Sequence, residues 1–353
     1  MDISKLSKSI TPSGTMAISN KARQLKEQGK PVIGFGAGEP DFPTPSYVIK
    51  DVQSAAEDPA NHKYSSVAGL NILREEIART TGLYSGFDVN PEHVLVSNGG
   101  KHAILTTFMS VLDPGDEVLI PSPYWTTYPE AVKIAGGNPI IVDTEFEDDF
   151  KINVQQLDEL KTEKTKILVW VSPSNPTGVV YSKGEAETIY NWAFENDIWI
   201  LSDELYEHLV YEGETSPSPA QYDKDLTNTI VINGVAKAYS MTGWRVGWII
   251  ANSEVINMAK KVQSHATSNV ANVSSFTPLE SIHEFSMSMT EFVICFVSSD
   301  SKAMINTFSS LTRKGLYFIF FPEEGKVNSY VGVLIVGKGI INIQFSKIIY
   351  MGF

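Results

Sequence analysis

The run Asn233-Gly-Val-Ala-Lys-Ala-Tyr-Ser-Met-Thr-Gly-Trp-Arg-Val-Gly247, entered from Thr229-Ile-Val-Ile-Asn233, decides how this chain folds. The apolar, β-branched entry predicts a strand buried on both faces, and the small residues after it predict a loop at its carboxyl end. Lys237 stands in that loop, eight positions before Arg245. Its amine can form an imine with an aldehyde, because a nearby cation or partial desolvation lowers its pKa enough to free the lone pair.

Working outward, similar apolar runs recur at Val94–Ser97, Glu117–Ile120, Pro139–Val142, Lys166–Val171 and Ile198–Leu201. Between them, amphipathic stretches predict helices over Leu70–Thr81, Lys101–Leu112, Tyr124–Ala135 and Gly184–Asn196. Asp113-Pro-Gly115 and Gly136-Gly-Asn-Pro139 punctuate the elements. The strands read as continuously apolar rather than alternating, so the fold class is α/β with a largely parallel sheet. Ligands of such sheets sit at the carboxyl ends of strands. Ser97-Asn-Gly-Gly-Lys101, Ser172–Gly178, Ser202–Tyr206 and Gly234–Lys237 each follow a strand and fall there.

Composition narrows the function. The 353 residues carry a net charge of −13, which argues against nucleic acid or an anionic membrane surface as partner. No apolar stretch reaches the roughly 18 residues a membrane span needs. The single cysteine, Cys295, makes an internal disulfide impossible and predicts a reducing compartment. The N-terminus is too polar for a signal peptide and predicts a short helical arm. These features predict a soluble, cytoplasmic protein, or a plastid one if a transit peptide precedes this stretch.

Pyridoxal 5′-phosphate makes four demands that the residues meet in order. Lys237 offers the amine for its aldehyde, and Asp203 offers a carboxylate to keep its ring nitrogen protonated. Tyr206 and Asn175 offer donors to its phenolate oxygen. Arg245 and the Gly99-Gly100-Lys101 turn, which opens a helix, suit its phosphate. Taken singly each has a plain alternative. A lone lysine is by default a solvated charge. Asp203 reads equally as the N-cap of a helix beginning at Glu204, and Asn175-Pro176 as an ordinary turn. Trp125 and Tyr64 read as core or surface aromatics. Gly34-Phe-Gly-Ala-Gly38 lacks the spacing of a dinucleotide loop. The ordered set outweighs these readings, and no metal is expected.

Gly36-Ala-Gly-Glu-Pro-Asp-Phe42, Lys63-Tyr-Ser-Ser-Val-Ala-Gly69, Ser122-Pro-Tyr-Trp125, Ser174-Asn-Pro-Thr-Gly178, Ser202-Asp-Glu-Leu-Tyr-Glu-His208 and Lys237-Ala-Tyr-Ser-Met-Thr-Gly-Trp-Arg245 together resemble the class I, aspartate-type aminotransferases. The likeness is to the branch of bacterial and chloroplast aspartate or prephenate enzymes, over about residues 3 to 280. It implies a fold-type I transferase, with a mostly parallel seven-stranded sheet and a smaller domain. It implies ping-pong transamination between an amino acid such as aspartate or glutamate and a 2-oxo acid, or prephenate as acceptor. Lys237 would join the cofactor covalently and, once released by substrate, shuttle a proton. Asp203 would pair with the ring nitrogen, Tyr206 and Asn175 would bond the phenolate oxygen, and Trp125 would stack on the ring. Gly100, Lys101 and Arg245 would bind phosphate. Tyr64 would reach the phosphate of a neighbouring subunit, implying a homodimer with shared sites. Gly38, Asn175 and Trp125 would meet the substrate, and Lys101 its distal carboxylate.

Beyond residue 285 the composition changes. Only Glu291, Asp300, Glu323 and Glu324 of the 41 acids lie there, against Lys302, Arg313, Lys314, Lys326, Lys338 and Lys347. The expected division is an arm and part of a small domain at 1–44, a large cofactor-binding domain at 45–285, and a divergent region at 286–353. Glu291–Val297 and Val331–Val336 read as strands. The family ends with an arginine that clamps the α-carboxylate, whereas Arg313 and Lys347 stand in other contexts here. The alternative is therefore a cofactor-binding paralogue, or a truncated or frame-shifted product, without turnover. A third reading keeps the fold and changes the reaction to β-elimination or decarboxylation.

Overall fold

The computed structural model describes residues 2–33, 38–211 and 216–276, together with the backbone of strands at 316–322, 330–336 and 339–345. Seven strands form the central sheet: β1 (Val94–Ser97), β2 (Glu117–Pro121), β3 (Asn138–Val142), β4 (Thr165–Val171), β5 (Trp199–Asp203), β6 (Thr229–Gly234) and β7 (Gly247–Ile250). Their order is β1-β7-β6-β5-β4-β2-β3. Only β7 runs against the others, pairing antiparallel with both β1 and β6. β8 (Leu316–Pro322), β9 (Tyr330–Val336) and β10 (Gly339–Phe345) make an antiparallel three-stranded sheet.

The six strands expected in the large domain are all present within a residue or two of their expected bounds. Strand β7 was not anticipated. It opens on the motif glycine Gly247, inside the run read as a loop, and is only four residues long. It turns the deciding run into a return: Gly234 closes β6, Gly247 opens β7, and the two are paired. Added Cβ atoms show why both are glycine. One on Gly234 would meet Gly247 Cα at 2.9 Å, and one on Gly247 would meet Gly100 N at 2.6 Å. The chain between them, carrying Lys237 and Arg245, is thereby pinned over the end of the sheet.

Helices cover both faces. Gly100–Val111 and Ser253–Ala266 lie with β1, β6 and β7 in an apolar cluster that includes Leu95, Ile104, Phe108, Ile232, Ile249 and Ile256. Lys183–Glu195 packs with β4 and β5 through Trp170, Ile189, Trp192 and Ile200. Its start is a capping box, in which Ser182 and Glu185 satisfy each other's backbone N–H groups. The expected arm is a short helix at Lys5–Ser9, followed by a longer one at Gly14–Glu27. The helix expected from Tyr124 begins only at Thr127, which leaves Tyr124 and Trp125 in the loop after β2. No helix follows Glu204. Asp203 ends β5 and enters a turn, so the capping alternative fails.

Val331–Val336 falls within β9. Glu291–Val297, Arg313, Lys347 and Gly34–Ala37 lie outside the described residues. Among the described residues no helix is long and apolar enough to cross a membrane.

Candidate active site

Five loops at one end of the sheet bring the candidate residues together. Gly99 and Gly100 follow β1, Trp125 follows β2, Asn175 follows β4, Asp203 ends β5 and Lys237 follows β6. In a parallel sheet, strand ends that point one way gather loops distant in sequence into one cleft.

Asp203 is 5% exposed, and burial pushes its carboxyl up to about 6. Two donors and the nearby Lys237 charge oppose that rise. Tyr128 Oη donates to Asp203 Oδ2 at 2.6 Å, and the Leu205 N–H donates to Oδ1 at 3.3 Å. Tyr128 is fully enclosed. Burial and the Asp203 charge hold its phenol well above the ordinary range, so it remains a donor. An acid kept dry and aimed at the sheet end suits a ring that becomes positively charged.

Lys237 is partly buried. Its Nζ donates to the Gly38 carbonyl at 2.5 Å and lies 5.6 Å from the centre of the Tyr206 ring. Burial lowers its pKa, and the neighbouring Arg245 charge lowers it further, while Glu39 and Asp203 work the other way. The result is an amine more easily freed of its proton than a surface lysine. Glu39 is itself fixed by the Thr242 hydroxyl at 3.1 Å. Burial and the Asp203 charge push Tyr206 up to about 12, so it too is a phenol that donates.

A cationic turn adjoins these groups. Arg245 has a left-handed backbone, with φ of 58°. Its guanidinium donates to Thr242 O at 2.8 Å and Asn98 O at 3.4 Å. It lies against Gly99, where a Cβ would meet Nη2 at 2.6 Å. Lys101 stands one residue inside the helix Gly100–Val111, with Nζ 4.9 Å from the Trp125 ring centre. Burial and then Arg245 lower its pKa. Two cations that repel each other at a helix N-terminus favour an anion between them. Trp125 meets Tyr128 edge-on, at 5.7 Å and 90°. Asn175 shares with Tyr124, Tyr128 and Ser174 the lining of a narrow cavity between the ends of β2 and β4.

The structure thus gathers Lys237, Asp203, Tyr206, Gly38, Arg245, Gly100, Lys101 and Trp125, with Asn175 beside Tyr128. Tyr64 stands apart, 92% exposed. Sequence reasoning missed Tyr128, Glu39 and Thr242. Tyr128 lies in the helix that opens just after Trp125, and only packing brings it to Asp203. Glu39 and Thr242 gave no separate signal. The donor set fits an aldehyde-bearing pyridine phosphate: an amine, a buried acid, a phenol donor and a cationic helix start.

Comparison with known proteins places these residues in context. The family model for aminotransferase class I and II matches residues 30–332. An aspartate aminotransferase of Streptomyces avermitilis is 50% identical over 264 residues, covering 74% of this chain and 65% of that protein. The chain therefore spans just under two thirds of the length of that relative. An aspartate/prephenate aminotransferase of Cereibacter sphaeroides is 40% identical over 275 residues, 77% of this chain and 68% of the relative. An aspartate aminotransferase from Thermus thermophilus with maleate superposes with a TM-score of 0.79 at 35% identity, over 94% of this chain and 85% of that one.

Proposed function

This chain belongs to the class I and II aminotransferases, and on that premise we propose that it moves an amino group between an amino acid and a 2-oxo acid in a ping-pong cycle with pyridoxal 5′-phosphate. The observation that carries this reading is the arrangement of Lys237 and Asp203. The amine has a lowered pKa and sits over Tyr206, while the acid is buried and held by Tyr128. When bound, the cofactor supplies an electron sink for the charge that develops at the substrate Cα.

The chain's own residues supply the rest. Lys237 Nζ would hold the cofactor aldehyde and, as a free amine, would take the α-proton. Asp203 would keep the ring nitrogen protonated, and Tyr128 fixes which Asp203 oxygen points inward. Tyr206 and Asn175 would donate to the phenolate oxygen, and Trp125 would cover the ring. Gly100 N–H, Lys101 and Arg245 would hold the phosphate. Gly38, through its N–H, and Asn175 orient the α-carboxylate. Lys101 also faces the distal carboxylate of aspartate, glutamate or prephenate. The Thermus thermophilus relative carries maleate, a dicarboxylate, which favours this substrate class.

A homodimer completes the site, with Tyr64 of each copy serving the other. The exposed ring of Tyr64 and the exposed Ile3, Leu6 and Ile18 of the N-terminal segment support it. A cytoplasmic or plastid setting fits the single Cys295.

A transamination assay over a panel of amino donors, read by oxaloacetate or 2-oxoglutarate release, tests this reading. Turnover of aspartate or glutamate as donor, with a 2-oxo acid or prephenate as acceptor, is expected. No amino transfer from any donor by cofactor-loaded protein would overturn it, and pyruvate with ammonia as products would indicate elimination instead.

A further inference from the structure

Tyr64 is held on both sides while its ring is left free. The ring is 92% exposed, yet the adjoining backbone is gripped by buried side chains. Asn272, 5% exposed, accepts from Ser65 Oγ at 2.5 Å through Oδ1. Its Nδ2 donates to the Lys63 carbonyl at 2.9 Å and reaches Asn61 O at 3.4 Å. Asn269 Nδ2 approaches Asn272 Oδ1 at 3.4 Å, which sets the direction of the amide. Three residues after Tyr64, the fully buried Gln263 takes over. Its Nε2 donates to Val67 O at 2.9 Å and Val96 O at 2.8 Å, while Oε1 accepts from Ser97 Oγ at 2.8 Å. Val96 and Ser97 end β1, immediately before the Asn98-Gly99-Gly100 turn.

Two buried amides from beyond β7 therefore fix residues 61–67 by their carbonyls and one hydroxyl. A core role for Tyr64 would bury the ring, and a purely local loop has no need of a grip on both sides of one exposed phenol. A grip of this kind matters when the side chain must meet a ligand at a fixed position outside its own chain.

We propose that Asn272, supported by Gln263, is a positioning residue whose effect is felt in trans: it presents Tyr64 to the cofactor phosphate site of a second copy. The inference rests on the reading above in which Tyr64 completes a neighbouring site. Its own content is that Asn272 never touches that site and acts only through the 61–67 segment.

Hybrid dimers test it. Apoprotein variants Asn272→Ala and Tyr64→Phe are titrated with pyridoxal 5′-phosphate and followed by absorbance of the Lys237-linked chromophore, with no substrate present. Each homodimer should bind about tenfold more weakly than wild type, the scale of one lost charged hydrogen bond. Each variant is then coexpressed with Lys237→Ala under a second tag, and the hybrid is purified. Its only lysine-bearing site receives Tyr64 from the chain whose Asn272 and Tyr64 are intact, so wild-type affinity should return in both hybrids. Ser65→Ala removes one bond of the same grip from the segment side and serves if Asn272→Ala does not fold. It should show a smaller loss with the same rescue.

Native affinity in Asn272→Ala, or a loss that the hybrid does not repair while Tyr64→Phe is repaired, overturns the inference alone. A monomeric protein, or native affinity in Tyr64→Phe, overturns the Tyr64 reading and this inference with it.

Discussion

Tyr128 Oη donates to Asp203 Oδ2 at 2.6 Å, joining the first turn of the helix Thr127–Ile134 to the last residue of β5. Seventy-five residues separate the two in sequence. Tyr128→Phe leaves the carboxyl dry and short of its strongest donor, so its pKa should rise further. Cofactor affinity should fall by about 1.5–3 kcal/mol, the usual worth of a hydrogen bond to a charged group. Spectral titration at several pH values checks both effects. Unchanged affinity and an unchanged midpoint would mean the bond is ornamental.

The raised pKa of Asp203 carries a sign that can be tested. Binding a protonated ring favours the carboxylate, which in the free protein is lost as pH falls through about 6. Lys237 becomes protonated in the same direction. The Asp203 contribution to pyridoxal 5′-phosphate affinity should therefore weaken by up to about tenfold per pH unit as pH falls through that midpoint. Asp203→Asn should bind weakly at every pH, with the Asp203 part of this dependence removed. A wild-type profile that is flat through the window contradicts the assignment.

Lys237→Ala should lower turnover to the rate without enzyme while leaving the fold and the dimer in place. Borohydride reduction followed by peptide mapping should label Lys237 in the wild type. A label on another lysine, or full activity in the variant, would refute the covalent role.

Glu204 sits beside this acid and belongs to no step of the reaction. Its Oε1 accepts from Ser202 Oγ at 2.6 Å and Ser218 Oγ at 2.5 Å. Burial, then the Glu207 charge, hold it well above the ordinary carboxylate range. An acid whose folded pKa is raised stabilises the fold fully below its unfolded value and loses that contribution as pH rises through the folded value. Resistance to urea should accordingly weaken from about pH 4.5 to about pH 8 in the wild type and level off above that. Glu204→Gln keeps the acceptor without the charge and should flatten that decline. An equal slope in both proteins would show that Glu204 does not titrate there.

Gly247→Ala should destabilise by about 1–3 kcal/mol, because the new methyl meets backbone that cannot swing away. Its Cβ would lie 2.6 Å from Gly100 N and 2.7 Å from Gly99 C. Those atoms form the proposed phosphate turn, so inorganic phosphate should also compete less well for the site. Denaturant melts with and without phosphate check both effects. Native stability would show that the turn yields easily.

Much of this architecture was legible from the chain alone, because a parallel strand buried on both faces must be apolar throughout. Val94–Ser97 and Lys166–Val171 announced themselves in that way. The chemistry was legible for a related reason: Lys237, Asp203 and Arg245 are expensive to place near a core and are explained together by one ligand. Strand β7 was hidden because it starts at Gly247, inside the small-residue run read as a loop, and Glu291–Val297 lies outside the described residues.

Residue order along the chain settled which strands form and which loops carry reactive groups, since hydrophobic period and turn chemistry act over a few neighbours. It could not assign Tyr128 to Asp203, Gly38 to Lys237 or Asn272 to Ser65. Those pairings exist because β5, β6 and the helix Thr127–Ile134 converge at one sheet end, and because residues 61–67 pack under the segment after β7. Contacts between groups far apart in the chain follow from packing geometry, which local preferences do not encode.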